Sequence, residues 1–197
     1  RECPQPMKES DLLTGKLESS NEGYAIAKIA GIKMCQSYYK QYGLKSFCPM
    51  PINLYGPHDN FHPENSHIIP GLINRLHKAK LNKDKLTTVW GTGVPKREFM
   101  HVDDCADGIL FANKFINDGS IINIGPGKEL STLETARAVS KTVGFNGEIV
   151  LDKTKLDGTM RKKAETSKIS SLGWSPKISF EKGLNETYLW YLDNVKN

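Results

Sequence analysis

The stretch YAIAKIAGIK, Tyr24 to Lys33, decides how the rest of the chain is read. Its apolar residues begin a pattern that recurs at three and four, the period of a helix. On a helix Tyr24 and Lys28 lie one turn apart on the same face. A cation beside a phenol favours the phenolate, so the tyrosine releases its proton more readily. The pair is therefore a candidate proton donor for a carbonyl undergoing reduction. The same spacing also arises on ordinary surface helices, so it needs support from its surroundings.

Working outward, the helical pattern continues to about Tyr42, with Ile29, Ile32 and Tyr39 on its stripe, and Gly43 closes it. The polar residues 1–23 read as loop. KSFCPMPINLYG reads as a buried strand from Ser46 to about Met50 that opens into a loop. The loop GPHDNFHPENSH is dense in Gly, Pro, Asn and His, and open α/β sheets place ligands at such strand ends. Ile68 to Lys80 reads as a helix with Pro70 in its first turn. LTTVWG and REFMHV read as strands around the turn GTGVPK. VDDCADGILFANKF starts a helix with Asp103 and Asp104 near its positive end. SIINIGPG is a further strand, and STLETARAVSKTVG is a helix with a capping box, Ser131 and Glu134, and a stop at Gly144. GEIVLD is a strand, and a short and a long helix close the chain. Helices alternate with strands, so the class is α/β.

The composition, 38% hydrophobic and 25% charged over 197 residues, is that of a globular protein whose core needs no metal or disulfide staple. The net charge of +5 is scattered. A nucleic-acid partner, which would gather basic residues on one face, is not expected, and an anionic small molecule is. Cys3, Cys35, Cys48 and Cys105 form no CxxC and no metal-ligand spacing. No metal is expected, and free thiols fit a cytoplasmic location. No apolar run of about 18 residues occurs, so no membrane partner is expected, and the first residues do not form a signal peptide.

Three blocks then follow in order: YAIAKIAGIK, MPINLYGPHDNFHPENSHIIPGL and VWGTGVPKREFMHVDD. With them the chain resembles, over essentially its whole length, the extended short-chain dehydrogenase/reductase family of nucleotide-sugar enzymes. The resemblance implies the C-terminal part of a Rossmann-type parallel sheet plus a smaller mixed α/β substrate domain. Residues 1–56 would be the end of the dinucleotide-binding domain. Residues 57–197 would mainly bind a GDP-sugar, with some elements returning to the sheet. The implied activity is 3,5-epimerisation and 4-reduction of GDP-4-keto-6-deoxy-D-mannose with NADP(H) as cofactor. The implied assembly is a homodimer formed through helices around Tyr24 to Tyr42, using Tyr38 and Tyr39.

Site residues follow from the same resemblance. Tyr24 would protonate the C4 oxygen of the sugar as hydride arrives. Lys28 would hold the nicotinamide ribose and lower the tyrosine pKa. Pro51, Ile52, Asn53 and Leu54 would frame the cofactor. His67 would touch the cofactor and serve epimerisation, because moving protons beside a ketone needs an acid and a base tuned near neutrality. His58 and His62 are close enough to compete for that assignment. Arg75, Trp90, Arg97 and Asp157 would bind the substrate. The Arg97 fork suits diphosphate oxygens, and Trp90 offers a flat apolar face. Lys155 and Arg161 flank Asp157 as weaker candidates.

The chain departs from the family in one respect. A glycine-rich GxxGxxG turn, which lets dinucleotide phosphates approach a helix N-terminus, does not occur in these residues. The family's catalytic serine and epimerisation cysteine would lie upstream of Arg1, and Cys3 is not that cysteine. The expectation is a C-terminal portion of an enzyme, inactive alone, with roughly a hundred further residues of cofactor domain. Two alternatives stay open. One is a sibling enzyme acting on another GDP-keto-sugar such as a GDP-6-deoxy-heptose. The other is a non-catalytic fragment that binds GDP-sugars or other partners.

Overall fold

The structure is a computed structural model that describes residues 3–195; the two residues at each end of the sequence lie outside it. Helix α1, Glu22–Tyr42, carries the YAIAKIAGIK stretch and stops at Gly43. The glycine takes a φ of 66°, which turns its N–H back to the Tyr39 carbonyl. Strand β1, Ser46–Pro51, is followed at once by β2, Asn53–Tyr55. A long loop leads to α2, Ile68–Leu81. Next come β3, Leu86–Trp90, β4, Lys96–His101, and α3, Val102–Ala112. Strands β5, Asp118–Ile124, and β6, Glu129–Ser131, precede α4, Thr132–Val143. Helix α4 has the expected box, with Ser131 and Glu134 each accepting from the other's amide. The chain ends with β7, Glu148–Asp152, β8, Arg161–Lys162, α5, Ser167–Ser171, and α6, Phe180–Asn194.

The class is α/β, and the pairing is dominated by parallel neighbours. Strand β1 runs parallel to β5, with Cys48 opposite Ile121 and Pro51 opposite Ile124. Strand β3 runs parallel to β7. Strand β4 is the hub of the remaining sheet, parallel to β2 and β8 and antiparallel to β6. Two cores sit between these layers. One joins β1 and β5 to α3 and α5 through Cys105, Ile122, Ile124, Ile169 and Trp174. The other packs α2, α4 and α6 through Ile73, Leu76, Val139, Leu184 and Tyr191.

Several local expectations are corrected. The strand from Ser46 is found as expected to within a residue, ending at Pro51, but it is followed by β2 and not by a loop. Strand β1 has one described neighbour, and proline is tolerated where only one side of the strand is paired. Strands β2, β6 and β8 are two or three residues long and exist because β4 templates them, so no local pattern announces them. The first 23 residues contain short 3-10 turns at Glu9–Asp11 and Ser19–Asn21, and Met7 bridges Ala164. Asn123 secures that bridge by donating from Nδ2 to the carbonyls of Met7 and Glu165, each at 3.0 Å. Asp104 is buried and accepts from the amides of Lys177 and Ile178 at 3.0 and 2.9 Å. It thus anchors the entry to α6 as well as facing the start of α3. Among the described residues no helix is long and apolar enough to cross a membrane.

Buried His77 on α2 has Nδ1 2.9 Å from the Tyr188 hydroxyl. Burial, with Lys80 nearby, holds its imidazole below the usual value. The unfolded chain, with a histidine pKa near 6.5, therefore takes up a proton before the folded one does. Stability is fully present above the unfolded value and falls as the pH is lowered toward the folded one. Urea unfolding between about pH 7 and pH 5 should show this loss, and His77→Gln should flatten the slope; an unchanged slope in the variant would assign the loss to other groups.

Candidate active site

The C-terminal ends of β1 and β2 and the start of α2 surround a cleft of 840 Å³. Its walls are Tyr24, the run from Pro51 to Asp59, His67 to Ile69, Phe99 and Val102. The cleft therefore gathers Tyr24, Pro51, Ile52, Asn53, Leu54 and His67 from three separate segments. Tyr24 is 62% exposed, and Lys28 Nζ stands 5.4 Å from its ring centroid without lining the cleft itself. Asn53 donates from Nδ2 to the Glu98 carbonyl at 2.9 Å, so this residue also ties the rim of the cleft to β4.

The three loop histidines have different duties. His67 is the N-cap residue of α2 and its ring caps no amide. His62 Nδ1 accepts from the amides of Glu64 and Asn65 at 3.2 and 3.3 Å, which folds the loop on itself. His58 takes the left-handed conformation, φ 66°, and lays its ring 4.7 Å from that of Trp190. His67 thus differs from its two competitors in having no scaffold contact of this kind.

A second, smaller cavity of 210 Å³ opens on the other side of His67. Arg75, Trp90, Glu64 and Thr132 contribute to its wall. Arg75 donates to the Thr88 carbonyl at 2.8 Å, which aims its guanidinium 5.5 Å from the Trp90 ring. Lys155 Nζ approaches the same ring at 5.7 Å. An exposed indole flanked by cations is a polarised flat surface.

Asp157 and Arg97 lie beyond Trp90 and line neither cavity. Asp157 accepts from the Thr92 amide at 2.9 Å and its hydroxyl at 2.6 Å, and these bonds hold its carboxyl below the usual range. The same side chain packs so closely on Gly91 that a Cβ there would collide with it. Arg97, half-buried, donates to the Lys96 carbonyl at 2.7 Å, and Gly158 lies against its guanidinium. Shared walls and contacts connect the candidates in a row: the large cavity joins Tyr24 to His67, the small one joins His67 to Arg75 and Trp90, Asp157 packs on Gly91 next to Trp90, and Gly158 lies against Arg97. Arg161, a weaker candidate, is taken up by a two-pronged bond to Glu129. Sequence reasoning missed Thr92 and Trp190, whose contacts cross long stretches of chain and leave no local signal.

The chain belongs to the NAD dependent epimerase/dehydratase family, whose pattern matches residues 1–125. It is 54% identical over 195 residues to GDP-L-fucose synthase 1 of Arabidopsis thaliana, covering 99% of this chain and 60% of the plant protein. A GDP-L-fucose synthetase from Naegleria fowleri bound to NADP superposes with a TM-score of 0.87 at 30% identity, over 98% of this chain and 62% of that one. A GDP-6-OMe-4-keto-L-xylo-heptose reductase from C. jejuni gives 0.89 at 33% identity, over 98% of this chain and 66% of that one. The chain spans about 60% of the length of the curated plant relative.

The Thr92 turn offers a direct check of the outer end of the row. Asp157→Ala should speed hydrogen exchange of the Thr92 amide while leaving the β4 amides as they were. Unchanged exchange at Thr92 would show that the turn holds its shape without the carboxylate.

Proposed function

We propose that this chain supplies the reaction centre and sugar-nucleotide site of an enzyme that epimerises GDP-4-keto-6-deoxy-D-mannose at C3 and C5 and reduces it at C4 to GDP-L-fucose, with NADPH. The observation that carries the reading is the convergence of Tyr24, Pro51 to Leu54 and His67 on one cleft. Likeness at 54% identity to a plant GDP-L-fucose synthase supports the choice of sugar. On this reading residues 1–56 belong to the cofactor-binding part. Most of 57–197 binds the GDP-sugar, while α3, β5 and α5 return to pack against β1.

The cleft suits a dinucleotide end: it has a phenol, a cation behind it and a rim stiffened by Pro51. When bound, NADPH would supply hydride to C4. This chain contributes the following groups. Tyr24 Oη gives its proton to the carbonyl oxygen, so ketone, hydride and proton together make the alcohol. Lys28 stabilises the phenolate that remains until solvent reprotonates it. His67 exchanges protons at the carbons beside the ketone, which the carbonyl acidifies. Trp90 backs the nucleotide, and Arg75 and Arg97 meet the diphosphate. Arg97 suits that task because it is a half-buried cation with no carboxylate partner among the described residues.

A GDP-heptose substrate is the second reading, favoured by the 33% identity to the C. jejuni heptose reductase, against 30% to the Naegleria synthetase. The higher identity to the plant enzyme weighs toward the fucose product. A homodimer would cover the exposed Tyr38 and Tyr39 of α1, beside which the Tyr38 and Tyr42 rings lie tilted at 5.4 Å. The four free thiols fit a cytoplasmic setting.

Two variants of the full-length enzyme test the assignments. Tyr24→Phe should cut ketone reduction by about 10²–10⁴-fold, the usual loss of a general acid, with GDP-sugar affinity retained. Reduction at the wild-type rate would remove Tyr24 from the chemistry. His67→Asn should slow deuterium exchange at C3 and C5 more than hydride transfer to an already epimerised ketone. Equal slowing of both steps would make His67 a positioning group.

A further inference from the structure

The C-terminal helix lines no part of the cleft, yet one of its faces packs on Tyr55 and His101 and on His58 and Phe61 of the loop that does. Phe180, Gly183, Glu186 and Trp190 recur at three and four along α6 and so share a face. Each meets part of the site's support. The Phe180 carbonyl accepts from the Tyr55 hydroxyl at 3.3 Å, and the two rings meet edge to face. Gly183 leaves room for that phenol, since a Cβ would collide with Tyr55 Oη and lie 3.0 Å from the His101 ring. Glu186 Oε2 stands 3.9 Å from His101 Nε2.

Trp190 makes the outermost contact. Its ring is shared by His58 at 4.7 Å and by Phe61, stacked at 5.9 Å. Phe61 is buried, touches Tyr191 and has its carbonyl held by Asn74. The rest of the loop is fastened to itself, through Asn60 to the Asn65 carbonyl at 3.1 Å and through His62 to the following amides. The segment therefore behaves as a body, and its placement depends on where His58 and Phe61 are gripped. His58 also holds a left-handed backbone, φ 66°, a region uncommon for residues other than glycine, though histidine visits it more often than most. Its position on the cleft wall, one loop away from His67, makes that conformation relevant to the site.

We propose that Trp190 is a positioning residue. By clamping the His58 and Phe61 rings it fixes the loop from Gly56 to His67, and with it the place of the His67 imidazole in the cleft. The proposal builds on the epimerase/reductase reading. The indole touches neither substrate nor cofactor and acts through the loop alone.

The test uses the full-length enzyme with Trp190→Ala and Trp190→Phe. Hydrogen exchange across residues 56–67 is measured by mass spectrometry, alongside deuterium wash-in at C3 and C5 of GDP-4-keto-6-deoxy-D-mannose. Trp190→Ala should accelerate amide exchange in 56–67 while leaving β1 and β5 unchanged. It should also slow wash-in by about 10²-fold, the cost of a small misplacement, with KM nearly constant. Trp190→Phe keeps a ring for both partners and should recover most of the rate. Unchanged exchange in 56–67, a rise spread over the whole chain, or a phenylalanine variant no better than the alanine one would each overturn the proposal. If the wild type does not process the sugar at all, the activity reading fails, and amide exchange in 56–67 alone then decides the clamp.

Discussion

A carboxylate shut away from water holds the middle of this molecule together. Glu98, fully buried on β4, accepts from the Ala164 amide at 2.7 Å. Burial pushes its pKa up, and the Ala164 amide and Lys163 pull it back only in part. Its Oε1 has no hydrogen-bond partner among the described residues, so the cost of burial is only partly offset. Its own carbonyl holds the Asn53 side chain, so one residue connects the cleft rim to the segment after β8. Its neighbour Arg97 therefore stands on a strand already fixed from both edges, by β2 and β6.

The candidate residues sit where strands end, although β1, β2 and β3 pair in three separate sheets. Loops leaving the C-terminal ends of strands are where α/β folds gather ligand-binding residues. Strands β1 and β2 deliver Pro51 to Asp59, and β3 delivers Trp90 and Gly91. His67 stands between the two cavities because it caps the helix that leaves the β2 loop. Adjacent cavities joined by a titratable ring suit a ligand with a reactive end and a charged, aromatic tail.

Much of this was legible in the residues. The helices announce themselves by period and by glycine stops at Gly43 and Gly144, because both signals are local. Tyr24, His67 and the Pro51 to Leu54 run were legible as a family pattern, and the cleft unites them. The short strands were not, since β8 has two residues and depends wholly on β4. Nor could the sequence tell that Asp157 spends its carboxylate on Thr92, or that His58 lies on Trp190. Such contacts join distant stretches and are decided by packing, which leaves no periodic trace along the chain.

Helix α1 deserves a thermodynamic reading. Over 21 residues it buries only Ile32, and it comes so near Gly119 of β5 that a Cβ added there would stand 2.9 Å from the Gln36 backbone. A helix with so little packing opens at a free energy well below that of the whole domain. Tyr24 and Lys28 face each other only while those turns are intact. Any surface that covers α1 therefore stabilises the state in which phenol and ammonium are aligned, by RT ln(1 + c/Kd) at free concentration c. On the proposed assignment of Tyr24, proton donation is in this way tied to the local folding equilibrium of one helix, with a set point that a binding partner can move.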